Sequence, residues 1–125
     1  MNPLLIKSFV AAAAITGMRI VKAGSGAVAT ATAVTDKLLG VSERMGAAEG
    51  GMCDVVQSGW APVAYGGNVA FGDFLTTDDE GRAVAVPALA AGDTVQVVGK
   101  AMVAGAEGDI GNVLVSPFVL IAPAA

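Results

Sequence analysis

The chain has 125 residues, a length that suits one domain, and 54% of them are hydrophobic although only 5% are aromatic. Its net charge of −4 comes with seven scattered basic residues, which argues against nucleic-acid binding through clustered phosphate contacts and against attraction to an anionic membrane surface. The chain has no histidine, so the commonest general base and metal ligand is missing, and the lone Cys53 has no partner for a disulfide within the chain.

Residues 1–10 read as an N-terminal arm and 11–125 as a single β domain. In the arm, Pro3 blocks regular pairing, and Leu4, Leu5 and Ile6 have no polar alternation. Three large apolar residues in succession are costly to leave in water. Two readings fit them: an arm that docks on another chain, or an edge strand of the same domain. The segment "MNPLLIKSFVAAAAITGMRIVKAG" imitates a signal peptide, but Lys7 is its only early cation, and Arg19 and Lys22 fall between the apolar stretch and the later "ATA". It is therefore not expected to be one. The run from Phe9 to Gly17 is too short to span a bilayer.

Gly-rich stretches then divide short apolar runs: "AGSGA", "GAAEGGM", "YGGN", "DDEG", "AAGD" and "GAEGDIGN". Regular turn signals between short runs predict an all-β fold, a small barrel or sandwich. Candidate strands in order are Ile15–Lys22, Ala27–Thr35, Leu39–Ser42, Cys53–Ser58, Pro62–Tyr65, Phe74–Thr77, Arg82–Val86, Thr94–Val103 and Asn112–Ser116. Ala27–Thr35 has the clearest period of two, with Val28, Thr30, Thr32 and Val34 on one face. "VVGK" breaks the alternation after Val97, which predicts a bulge near Val98–Gly99. Helix is limited to at most one short turn, over "TDKLLG", with Thr35 or Asp36 as cap and Gly40 as stop. Alanine and valine dominate the apolar content. Such a core is light for its length, and further apolar surface is expected to be covered by other chains.

Few residues suggest chemistry. Asp78, Asp79 and Glu80 are adjacent, whereas a Ca²⁺ loop spaces its oxygens, so "DDEG" reads as a solvated hairpin tip. Gly24-x-Gly26-x-x-Ala29 imitates a dinucleotide fingerprint, but the residues after it have strand periodicity where that chemistry needs a helix. Ser42, Ser58 and Ser116 lack a histidine, and no serine–lysine spacing stands out. Cys53 reads as a small core residue whose thiol Asp54 would make less acidic. Trp60, between Gly59 and Pro62, reads as a core or rim residue, with an interface anchor as the sharper alternative. No catalytic residue, cofactor or metal is expected, and the chain is not expected to be an enzyme.

The order of the pieces carries more information than any one of them. "IVKAGSGAV", "LLGVSE", "DVVQSGWAPVAYGGNVAFGDFLTTDDEGRAV" and "VVGKAMVAGAEGDIGNVLVSP" follow one another in a way that resembles the capsid cement, or head decoration, proteins of tailed bacteriophages. The resemblance runs from about Ala11 to Val119. It implies an all-β, tulip-like subunit, to which the reading of the residues adds the extended N-terminal arm. It also implies a homotrimer seated on the capsid exterior of the virion, made in the bacterial host cytoplasm, with the major capsid protein as partner; as the charge already suggests, neither nucleic acid nor membrane is expected as a partner.

Pro3, Leu4, Leu5, Ile6, Phe9 and Trp60 are then the candidate capsid or oligomer contacts. A contrasting reading is a phage tail or fibre β-domain that binds host glycans, with Trp60 and Tyr65 as exposed stacking residues.

Overall fold

The computed structural model describes residues 3–87 and 92–121, with side chains over 5–87 and 92–120. The side chains of Pro3 and Leu4, and part of the predicted "AAGD" turn, lie outside the described residues. The fold is all-β. Its strands are β1 (Pro3–Val10), β2 (Ile20–Ala23), β3 (Val28–Thr30), β4 (Leu38–Ser42), β5 (Met52–Ala64), β6 (Phe74–Thr77), β7 (Ala83–Ala85), β8 (Thr94–Ala101) and β9 (Ile110–Ile121). They form one antiparallel sheet in the order β3-β2-β4-β5-β9-β8-β6-β7, with β1 paired to β5 off that path.

The sheet curls until its ends meet. The Ile20 amide at the start of β2 donates to Gly81 O beyond β6 at 2.7 Å, and the Gln96 amide of β8 donates to Val34 O at 2.8 Å. Strand β4 packs on β8 and β9 although β5 separates them in the ladder. Inside the curl lies the main core, built from Ile20, Val41, Val63, Tyr65, Leu75, Val98, Val113 and their neighbours. A second, smaller cluster gathers Ala11, Ile15, Val21, Val28, Cys53 and Val55, with Phe9 partly buried against it.

Strand β5 joins the two. Val55 pairs with both Lys7 and Ser42, and Val56 with both Ile6 and Val41, so β1 and β4 flank β5 on opposite sides there. Val55 packs into the second cluster and Val56 into the main one. At Gly59 the strand changes neighbours, since this residue pairs with Pro3 of β1 and Val115 of β9. Its φ is +97, a conformation that side-chain-bearing residues rarely adopt. The ladder with β1 also slips between Val56 and Ser58, and a register slip with a positive φ beside it kinks a strand and re-aims the residues that follow. Ala61 and Val63 then face the main core, and Trp60 turns outward, 42% exposed.

Several predicted strands differ from those observed. The runs expected at Cys53–Ser58 and Pro62–Tyr65 are parts of one strand, because Pro62 and Gly59 are tolerated inside it. The strand expected from Ile15 begins at Ile20, and the one expected to reach Val103 ends at Ala101. The strand expected over Ala27–Thr35 stops at Thr30. Asp36 Oδ2 accepts the amides of Thr32 (2.9 Å) and Ala33 (3.0 Å), and the Asp36 amide donates to Ala33 O at 3.0 Å. These bonds close a turn that takes the chain out of the ladder. The turn also replaces the expected helical turn, since β4 already begins at Leu38. Phe74–Thr77 matches its expected bounds, and the β8 register shift between Val97 and Gly99 is the expected bulge.

Burial alone would raise the Asp36 carboxyl, but the Thr32 and Ala33 amides and the Lys22 ammonium, 3.5 Å away, outweigh it and hold the carboxyl below its usual value. A carboxyl depressed by folding stabilises while it is ionised and ceases to as the pH falls through its folded pKa. Asp36→Asn is therefore expected to cost about 1 kcal/mol near neutral pH, with the deficit shrinking in acid, as read from urea unfolding at both pH values. Gly59→Ala forces a methyl group onto a left-handed backbone. It is expected to lower stability by about 1–2 kcal/mol, measured by the same unfolding curves.

Candidate functional site

Three sequence features that suggested chemistry turn out to be structural. The Gly24/Gly26 segment is the tip of the β2–β3 hairpin, where the Gly24 amide donates to Ala27 O at 2.7 Å and the ladder runs Val21–Thr30, Lys22–Ala29, Ala23–Val28. No helix follows the glycines, so no helix N-terminus is available to a pyrophosphate there.

The carboxylates of Asp78, Asp79 and Glu80 do lie within 4.8 Å of one another at the β6–β7 tip. Asp78 Oδ1, however, accepts the amides of Glu80 and Arg82, both at 2.8 Å, and its Oδ2 takes the Arg82 Nε at 2.8 Å. Glu80 binds the same guanidinium at 3.0 Å, and Glu107 stands 3.5 Å from it. The tip thus carries its own cation, and its carboxylates tie the turn together. Cys53 is buried; burial first, and Asp54 second, pushes its thiol pKa up, away from nucleophilic use.

Ser42 Oγ is committed to the fold. It donates toward Thr16 O (2.9 Å) and Arg19 O (3.2 Å) and accepts the Arg19 amide (3.1 Å).

The aromatic residues carry the next observation. Tyr65, expected in the glycan reading to be an exposed stacking residue, is fully buried. Its hydroxyl donates to Val103 O at 2.7 Å, and burial raises its pKa. The ring occupies a slot made by Gly105 and Gly111, where a methyl group on either glycine would overlap it.

Trp60, Phe71, Phe74 and Phe118 are exposed instead. None of the four phenylalanines, nor Trp60, is among the buried core residues, which are mostly valine. Trp60 lies opposite Leu114, Leu114 opposite Lys100, and Lys100 opposite Phe74. Directly opposed residues share a face, so these four make an outward row across β5, β9, β8 and β6. Phe118 meets Phe74 edge to face, with centroids 5.5 Å apart, and the Lys100 ammonium sits 5.5 Å from the Phe74 centroid. Phe71, on the Ala70–Asp73 turn before β6, is 73% exposed.

On β1, Leu5 and Ile6 are 43% and 44% exposed. Among the described residues β1 pairs with β5 alone, which leaves its outer edge open. Of the expected contact residues, Leu5, Ile6 and Trp60 are thus exposed, whereas Phe9 is drawn against the second cluster. Sequence reasoning missed the Phe74–Phe118 pair. The two are far apart along the chain, and only the β6–β8–β9 register brings them together.

The chain shares its fold with the N base of a phage head fibre. The similar structure is that of head fiber gp8.5 in bacteriophage phi29, at a TM-score of 0.61 and 18% identity, covering 90% of this chain and 93% of that one. No family model matches the chain, and no match is found among curated proteins. At that identity the likeness extends to the path of the backbone and not to particular side chains.

If the acidic tip is a turn device, Asp78→Ala is expected to lower stability by about 1–2 kcal/mol through loss of its charged hydrogen bonds. Calorimetric titration of the unaltered chain with Ca²⁺ or Mg²⁺ is expected to give no saturable heat. A specific uptake lost in Asp78→Ala would overturn this assignment.

Proposed function

We propose that this chain is a structural protein of a tailed-phage particle. In this reading it decorates the outer surface of the head as a homotrimer and clamps neighbouring major capsid subunits, with no catalytic step and no cofactor. The observation that carries the reading is the open β1 edge with its exposed apolar side chains. The interior is filled mostly by valine, with a few larger residues, while Leu5 and Ile6 stand half exposed on a strand whose outer edge has no partner among the described residues. Exposed apolar surface of this kind marks sites of association. The resemblance in segment order to cement proteins, and the fold held in common with a head-fibre base, direct that association toward a phage head.

The contact proposed is edgewise. An open strand edge offers a row of backbone donors and acceptors for register, and the half-exposed Leu5 and Ile6 supply apolar area beside it. Phe9 stays with the chain's own interior. Trp60 is left out of this contact because charged side chains line the cleft beside it. Charged residues are depleted from the centres of protein interfaces, where burying them unpaired is costly.

A protein that binds the assembled shell and not its separated subunits stabilises the shell by mass action, and many copies multiply a modest contact energy. The fibre-domain reading is weakened by the burial of Tyr65, which removes one of its two stacking residues.

Purified chain added to expanded, undecorated phage heads is expected to bind saturably and to raise the temperature at which the heads release DNA. Ile6→Asp is expected to weaken that binding at least about tenfold while leaving the chain's own unfolding temperature nearly unchanged, since Ile6 is half exposed. Heads that neither take up the chain nor gain heat resistance would refute the proposal.

A further inference from the structure

We propose that the cleft beside Trp60 is a binding site for a neutral saccharide. The cleft encloses about 350 Å³, within the usual range of small-molecule sites. Trp60 and Pro62 form apolar walls, the nearly buried Val56 and Ala61 close the base, and Glu43 and Arg44, just after β4, supply the charged groups. Neither charged side chain has a hydrogen bond or ion pair with another described residue, so both remain available to a ligand.

The segment that carries them is held firmly. The Ser42 amide donates to Arg19 O (2.8 Å), the Glu43 amide to Asp54 O (2.9 Å) and the Gly46 amide to Glu43 O (3.0 Å). The buried Ser42 hydroxyl anchors the same point from below. Met18 braces it from the other side. Its amide donates to Ser42 O at 3.0 Å, and its carbonyl accepts the Ala64 amide at 2.9 Å. Met18 is also the one non-glycine residue with positive φ, +59, among the described residues. Such strain persists where the surroundings over-determine it, and it concentrates at functional sites.

The chemistry of the walls selects the ligand class. A half-exposed indole beside a proline favours a flat C–H surface. A carboxylate accepts hydrogen bonds and a guanidinium donates them, and together they carry no net charge, so the cleft has no preference for an anion or a cation. A pyranose ring meets all three conditions, with an apolar face and a rim of hydroxyls that both donate and accept. A protein partner would have to bury Glu43 and Arg44 without assured partners. The inference does not depend on head binding, because an edgewise contact through β1 leaves the outward face open.

Trp60 is the only tryptophan, so its emission reports directly on the cleft. The probes are trisaccharides of glucose, of galactose and of N-acetylglucosamine, titrated into the full chain. At least one is expected to change the emission saturably with a Kd in the millimolar range, as few hydrogen bonds and one stacked ring supply. Glu43→Gln and Arg44→Gln are each expected to weaken that probe about tenfold, and Lys37→Ala, remote from the cleft, to leave it unchanged. Amide chemical shifts follow the same titration in Trp60→Ala, where binding is expected to vanish while the spectrum stays folded. The inference fails if no probe saturates by about 50 mM, well beyond a millimolar Kd. It also fails if emission changes with protein concentration alone, which would mean that a second copy covers Trp60.

Discussion

The fold turns on a short irregular stretch of its central strand. Between Val56 and Ala61 the ladder with β1 slips past Gln57, Gly59 takes a positive φ between β1 on one side and β9 on the other, and the residues that face the main core change parity. Without that reversal Ala61 and Val63 would leave the main core and the Trp60 indole would have to enter it. The interior at this point is lined by valine and alanine and has no room shaped for an indole. This stretch therefore sets both the continuity of the core and the outward placement of the largest side chain.

The same geometry accounts for the choice of core residues. A sheet curled tightly enough for β2 to reach the β6–β7 tip leaves a narrow interior, and β-branched side chains fill it without long rotamers. Tyr65 is admitted because two glycines vacate the space its ring needs and a backbone carbonyl receives its hydroxyl. The phenylalanines have no such slots. Phe9 packs against the second cluster from its margin, and Phe74 and Phe118 stand on the outer face, where they and Lys100 satisfy one another.

Local chemistry was legible in the sequence wherever it acts over a few residues. The strand at Phe74–Thr77, the "DDEG" hairpin tip and the bulge after Val97 follow from period and turn chemistry alone. The length of β5 was not legible, because Gly59 and Pro62 look like breaks unless the neighbouring strands are known. The early end of β3 was missed for a similar reason. The alternating Ala/Thr/Val pattern continues to Thr35, but the Asp36 carboxylate competes for the amides that a ladder would use. At the surface, exposed leucine and isoleucine near the N-terminus stood out by composition. The Glu43–Arg44 segment did not. Its one signal was a serine followed by two opposite charges at the end of a short apolar run, a pattern too common to single out.

The valine-rich interior has a bearing on how tightly the fold constrains its sequence. A core that asks mainly for small branched side chains at alternate positions, with its bends set by backbone hydrogen bonds, can be satisfied by a great many sequences. Nearly every letter can then differ while the chain threads the same path, as 18% identity over nine-tenths of a shared fold illustrates.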